Sequence, residues 1–141
     1  MIVQAAPPEH FGWLISRTDG GLTSDFRAVE AVDSTGRIHG MIGYSGWTET
    51  GVVMHIALDN PASFRHLVYP AFIFPFVQAN RIVALAIVNS INERSLKLCK
   101  RVGFREVYRV KDGIRIGEDQ VLFEMRRDEC RWLTPSRRRA A

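Results

Sequence analysis

A chain of 141 residues, 46% hydrophobic and 24% charged, has the size and composition of one soluble domain that can bury a core without covalent staples. The net charge of +4 is not evenly spread. Arg126, Arg127, Arg131, Arg137, Arg138 and Arg139 stand against only Asp128 and Glu129, so this segment alone supplies the +4 and the body is balanced.

Two cysteines, Cys99 and Cys130, lie outside any C-x-x-C or zinc-type Cys/His spacing. That argues against a disulfide framework or a metal site and for a reducing, cytoplasmic setting. Met1 to Ala6 is too short for the apolar region of a secretory signal.

In chain order, Ile2 to Ala6 reads as a short strand. Pro7 to Thr18 reads as a helix, with proline at its start, where a missing N–H does no harm. Phe11, Leu14 and Ile15 share one face, and Asp19-Gly20-Gly21 ends it. Phe26 to Val32 and Ile38 to Trp47 alternate with period two around the turn Asp33–Arg37. A turn at Thr48–Gly51 then leads to Val52–Leu58, completing a three-stranded antiparallel meander.

A helical segment runs from Pro61 to about Asn80. Its most apolar part, Leu67 to Val77, is far short of the ~20 residues of a membrane span. It also holds two prolines, so the expectation is a buried helix, kinked or broken, and no membrane contact. Ile82 to Val88 is a continuous apolar run, the pattern of a strand buried on both faces. After the junction Asn89-Ser90-Ile91-Asn92 comes a helix that ends at Gly103 in the C′ position. Phe104–Val110 and Val121–Arg127 then form a closing hairpin around Asp112-Gly113.

The order β-α-βββ-α-β-α-ββ is α+β with a central mixed, mostly antiparallel sheet. It reads as one domain over residues 1–133, followed by a basic tail at 134–141. The tail is either a solvated end or a contact for a polyanion such as nucleic acid.

The junction has two readings of its cap. Ser90 and Glu93 have capping-box spacing, and Asn92 is a competing N-cap. Beyond the cap, Asn92-Glu-Arg-Ser-Leu-Lys-Leu-Cys-Lys-Arg-Val-Gly-Phe104 follows a buried strand, precedes a hairpin and lies downstream of a meander. This stretch resembles the N-x-x-[AS]-x-x-L-[YC]-x-x-x-G-F signature of the GNAT N-acetyltransferase superfamily. The resemblance extends from Phe26 to Met125 and is strongest to short, single-domain proteins of the kind carried by bacteria and their phages.

That resemblance implies a GNAT-like acyl-CoA N-acyltransferase fold. It also implies acetyl-CoA as co-substrate in a cleft where the fourth and fifth strands part, and direct transfer of its acetyl group to the amine of a small molecule or peptide. Backbone groups of Ile56, Ala57 and Leu58 would pair with the pantetheine arm, and Asn92, with Ser95 beside it, would hydrogen-bond that arm. Cys99 stands where the family often has a tyrosine that protonates the departing thiolate. Its other reading is a small buried apolar residue. Family members are often dimers.

One feature departs from the family. The segment Leu58 to Val68 contains no glycine, where the family usually has a glycine loop whose amides cradle the pyrophosphate. Ser63 and Arg65, in the first turns of the helix, are the remaining candidates for a phosphate. The missing loop motivates a second reading, a GNAT-fold protein that acts as a binding or structural component, in a phage particle or on nucleic acid.

For the base that takes the amine proton, His55 is the first candidate, sharing a strand face with Val53, Ala57 and Asp59. Glu49, in the preceding turn, is the second. Phe11, Trp13, Tyr44, Trp47 and Tyr108 are aromatic candidates for the acceptor pocket. No G-x-x-x-x-G-K-[ST], H-E-x-x-H or G-x-S-x-G occurs.

Overall fold

Among the described residues, seven strands build one sheet: β1 (Ile2–Ala5), β2 (Arg27–Val32), β3 (Ile38–Ser45), β4 (Gly51–Leu58), β5 (Val83–Asn89), β6 (Arg105–Arg115) and β7 (Glu118–Arg126). The computed structural model describes residues 1–18 and 20–133. The order across the sheet is β1-β2-β3-β4-β5-β7-β6. Every neighbouring pair is antiparallel except β4 and β5, which run parallel. The expected mixed, mostly antiparallel sheet is therefore present, with β1 extending the meander to four strands.

Three α-helices of the described residues cover it: α1 (Phe11–Ile15), α2 (Phe64–Ile73) and α3 (Glu93–Val102). Alternation along β3 divides the core between the two faces. Met41 packs with Phe11, Leu14, Phe26 and Ala28 on the α1 side. Ile42 and Tyr44 belong to a larger cluster with Leu67, Val68, Ala71 and Phe72 of α2 and Cys99 and Val102 of α3. No helix of the described residues is long and apolar enough to cross a membrane.

Three local readings need correction, and a fourth, the broken second helix, holds. The first helix is shorter than expected. A 3₁₀ turn at Pro8–His10 precedes the five residues of α1, and Arg17 and Thr18 bond back only three residues, to Leu14 and Ile15. The second helix breaks as its prolines suggest, into α2 and a π-helical turn at Phe74–Gln78. Pro75 has no N–H for the Ala71 carbonyl. The buried Tyr44 hydroxyl donates to that carbonyl instead, at 2.6 Å, so the break leaves no orphan acceptor.

The closing turn is not at Asp112-Gly113. β6 runs on to Arg115 and the chain reverses at Gly117, with φ +85°. Asp112 and Gly113 form an irregularity within the ladder between Val110 and Arg115. There Asp112 Oδ1 accepts from Gly117 N–H, and a Cβ on Gly113 would lie 2.8 Å from Gln120 Cβ. Finally, β5 is not buried on both faces, because Ile87 is 43% exposed and lines the cleft described below.

The expected tail at 134–141, and any nucleic-acid contact through it, lies outside the described residues.

Candidate active site

Strands β4 and β5 pair only from Gly51↔Val83 to Met54↔Ala86. Beyond that point β4 stays with β3 as far as Leu58, and β5 stays with β7 as far as Asn89. The two strands therefore part after Met54, and among the described residues the edge of β4 over Ile56–Leu58 has no strand partner on that side. A cleft of about 470 Å³ opens there. Its apolar wall includes Met54, Ile56, Ile87, Leu98 and Ile114, and its polar groups include Thr18, His55, Asn89, Asn92, Ser95 and Gln120.

The polar junction after β5 holds three different things. Asn89 is buried, donates from Nδ2 to Glu118 Oε1 at 2.6 Å, and accepts from Ile91 N–H at 3.2 Å. Ser90 exchanges bonds with Asp119, its N–H donating to the Asp119 carbonyl and its Oγ accepting the Asp119 N–H at 2.8 Å. Asn92 is the N-cap of α3, and its Oδ1 accepts from Ser95 N–H at 3.1 Å. Of the two capping readings, Asn92 is therefore the one realised. Ser90 is taken by β7, so no capping box forms. The Asn92 Nδ2 and the Ser95 hydroxyl, both at the cleft, bond no protein group among the described residues. At the other end of α3, Gly103 takes the left-handed C′ conformation, φ +119°, which favours glycine.

His55 enters the cleft from β4. Its Nε2 lies 2.7 Å from Ser45 Oγ, its ring stacks 6.0 Å from Phe26, and its Nδ1 side faces Gly20, another cleft residue. Partial burial lowers its pKa below the ordinary histidine value, so the ring is neutral at pH 7. With Nε2 tied to Ser45, Nδ1 is the nitrogen left to face a ligand.

Cys99 also lines the cleft, but burial pushes its thiol up to about 12. A thiol that weak an acid would protonate an ordinary thiolate, pKa near ~8.5, only uphill. The geometry suits Cys99 to the wall and counts against the expected role as proton donor.

Other expected residues are not brought together. Glu49 is exposed in the β3–β4 turn, six strand residues or roughly 20 Å from His55, and does not line the cleft. Ala57 and Leu58 lie on the free edge of β4, just past the cleft residues. Ser63 is fully buried, its hydroxyl donating to Asn60 O at 2.7 Å and lying 3.3 Å from His39 O. Arg65 is exposed on the first turn of α2.

The 3₁₀ turn Pro61–Ser63 and the first residue of α2, Phe64, offer no free amide. Pro61 has none, Ala62 N–H goes to Asn60 Oδ1, Ser63 N–H to Asn60 O, and Phe64 N–H to Pro61 O. Of the aromatic candidates, Phe11 and Tyr44 are core, Trp13 lies under Arg17 at 3.8 Å, and Tyr108 is exposed on β6. Trp47 lines a different cavity, so none of the five reaches the cleft.

Sequence reading missed an ion pair at the α1 end of the cleft, where Arg17 is a lining residue. Arg17 binds Asp59 with two bonds, Nε–Oδ1 2.9 Å and Nη2–Oδ2 3.0 Å. Those bonds hold the Asp59 carboxyl below its usual pKa. The partners are 42 residues apart, and no local pattern marks them.

No family model matches the sequence, and no curated protein matches it. Solved structures do match the fold. A single-residue mutant of the spermidine N-acetyltransferase SpeG from Vibrio cholerae superposes with TM-score 0.77 at 13% identity, over 96% of this chain and 99% of that one. Two glutamate-to-glutamine mutant forms of the spermidine/spermine N-acetyltransferase SpeG from the same organism give 0.73 at 13% identity, over 90% and 95%. A dodecameric form of that organism's spermidine N-acetyltransferase gives 0.71 at 11%, over 90% and 94%. These likenesses span nearly the whole of both chains, and they establish that this chain carries the GNAT fold.

Proposed function

We propose that the chain is an acetyl-CoA-dependent N-acetyltransferase acting on an amine. The observation that carries this reading is the cleft where β4 and β5 part. It sets the free Nδ2 of the Asn92 cap opposite an unpaired strand edge, beside a neutral histidine.

The residues fit the co-substrate's arm. Asn92 Nδ2 and the backbone of Ile56–Leu58 offer hydrogen bonds to the amides of a pantetheine chain, and Ile56, Ile87 and Leu98 offer apolar wall to its methylenes. They fit its phosphates less well, because the amides at the start of α2 are already bonded. The exposed Arg65 side chain is the group left there to meet a phosphate.

When bound, acetyl-CoA supplies a thioester carbonyl to the attacking amine. As the N–C bond forms and the C–S bond breaks, His55 takes the amine proton at Nδ1, directly or through one water. Ser45 fixes the ring. The leaving thiolate is protonated from solvent, with Cys99 serving only as wall. That the solved neighbours are named for spermidine and spermine supports an amine acceptor and leaves open which one.

Two readouts test the proposal together. Saturating acetyl-CoA should raise the unfolding temperature by several degrees. His55→Gln should keep that shift and lose about 10²–10⁴-fold in kcat/KM. In the wild type the acid limb of kcat/KM should have an apparent pKa below about 6.5, since the neutral ring is the active form, and this limb should vanish in the variant. No thermal shift at millimolar acetyl-CoA would sink the proposal and favour the binding-protein reading.

A further inference from the structure

A second cavity of about 350 Å³ is lined by Asp25, Arg27, Trp47, Phe74, Ala79 and Arg81, none of which lines the cleft. Arg81 follows the π-helical turn. Its backbone N–H donates to Pro75 O and its Nη1 to Ala79 O, and its guanidinium lies 5.1 Å from the Trp47 ring centroid. Its Nε is buried without a hydrogen-bond partner, alone in this among the buried side-chain nitrogens and oxygens of the described residues. Such an orphaned donor requires an explanation.

Arg27 uses Nη1 on Phe26 O, at 2.8 Å, and the residue is otherwise exposed. No salt bridge joins either arginine to an acid among the described residues. Asp25 is the one acid of the lining, and it is engaged elsewhere: Thr23 Oγ1 donates to its Oδ1, and Trp47 N–H to its Oδ2 at 3.1 Å. Those bonds lower its pKa, so it is ionised at neutral pH, and the lining carries two positive charges against one negative.

We propose that this cavity binds a small organic monocarboxylate with a flat apolar body. The carboxylate accepts from Arg81 Nη2, which is unbonded among the described residues and not buried, and from the free Arg27 donors. The body lies against Trp47 and Phe74, whose rings meet edge to face at 5.5 Å. A single negative charge matches the excess charge of the lining, whereas a phosphate dianion would exceed it and meet the Asp25 carboxylate.

The test is an NMR titration of the full chain with benzoate, following the Trp47 indole N–H, identified by its loss in Trp47→Phe. Benzamide serves as the neutral isostere and inorganic phosphate as the competing anion. The expected result is a saturable shift with benzoate, with benzamide and phosphate at least about tenfold weaker. Arg81→Gln and Arg27→Gln should each weaken benzoate by about tenfold. Arg81 ties down the end of the π-helical turn and its variant can lose stability. Arg27 is exposed, so its variant keeps the test valid. Four results would each overturn the proposal: no saturable shift, equal response to benzamide, tighter binding of phosphate, or unchanged benzoate affinity in Arg27→Gln.

Discussion

Two helical segments start where the parting strands end, the 3₁₀ turn that leads into α2 and α3 itself, and each is capped by an asparagine, yet the two ends differ in what they leave for a ligand. Ahead of α2, Asn60 and the 3₁₀ turn after it bond every available amide of residues 61–64. Ser63 is pressed against Gly40, where an added Cβ would sit 2.6 Å from Ser63 Oγ. At α3, Asn92 uses only its oxygen on the helix, and it stands with Ser95 at the cleft. The residue type of the cap does not decide whether a helix start can receive a ligand. The proline after the cap and the packing beneath it do.

The largest break of this contrast is Gly40→Ala. The new methyl would also meet Leu58 Cδ2 at 2.9 Å, so the start of α2 must shift, at a cost of about 1–3 kcal/mol in urea denaturation. If the sealed end itself is idle in binding, acetyl-CoA affinity should fall less than in Asn92→Ala. The next test pairs Asn92→Ala with Asn60→Ala. Each should cost about 1 kcal/mol of stability as a lost cap. Calorimetric titration should show about tenfold weaker acetyl-CoA binding for Asn92→Ala and none of that loss for Asn60→Ala.

The smallest effect belongs to Arg65→Gln. This exposed position should stay within about 0.5 kcal/mol of wild-type stability. Acetyl-CoA should bind slightly and salt-dependently weaker, while acetyl-pantetheine, which lacks the nucleotide phosphates, should be unaffected.

The same contrast explains what the sequence made legible. The α3 end is local: cap, amphipathic stretch and C′ glycine all lie within Asn92–Gly103, and each has a signal at short range. The sealing of α2 is not local. It depends on the His39 carbonyl and the missing side chain of Gly40, both on β3. The Asp112-Gly113 pair misled for a similar reason. It has the composition of a two-residue hairpin turn, but Asp112 is held by Gly117 and Asp119, which moves the reversal onward.

The strand face that carries His55 was readable from alternation, whereas its Ser45 partner arrives from β3, ten residues back. Ser16, Thr18, Ile114 and Gln120 reach the cleft from loops and hairpin with no common motif.

The most direct measurement of the central claim is amide hydrogen exchange with and without saturating acetyl-CoA. The account predicts new protection over residues 54–58 and 92–99. It predicts none over 61–64, where the available amides are already bonded in the free protein. Protection confined to 61–64, with the α3 start unchanged, would contradict it.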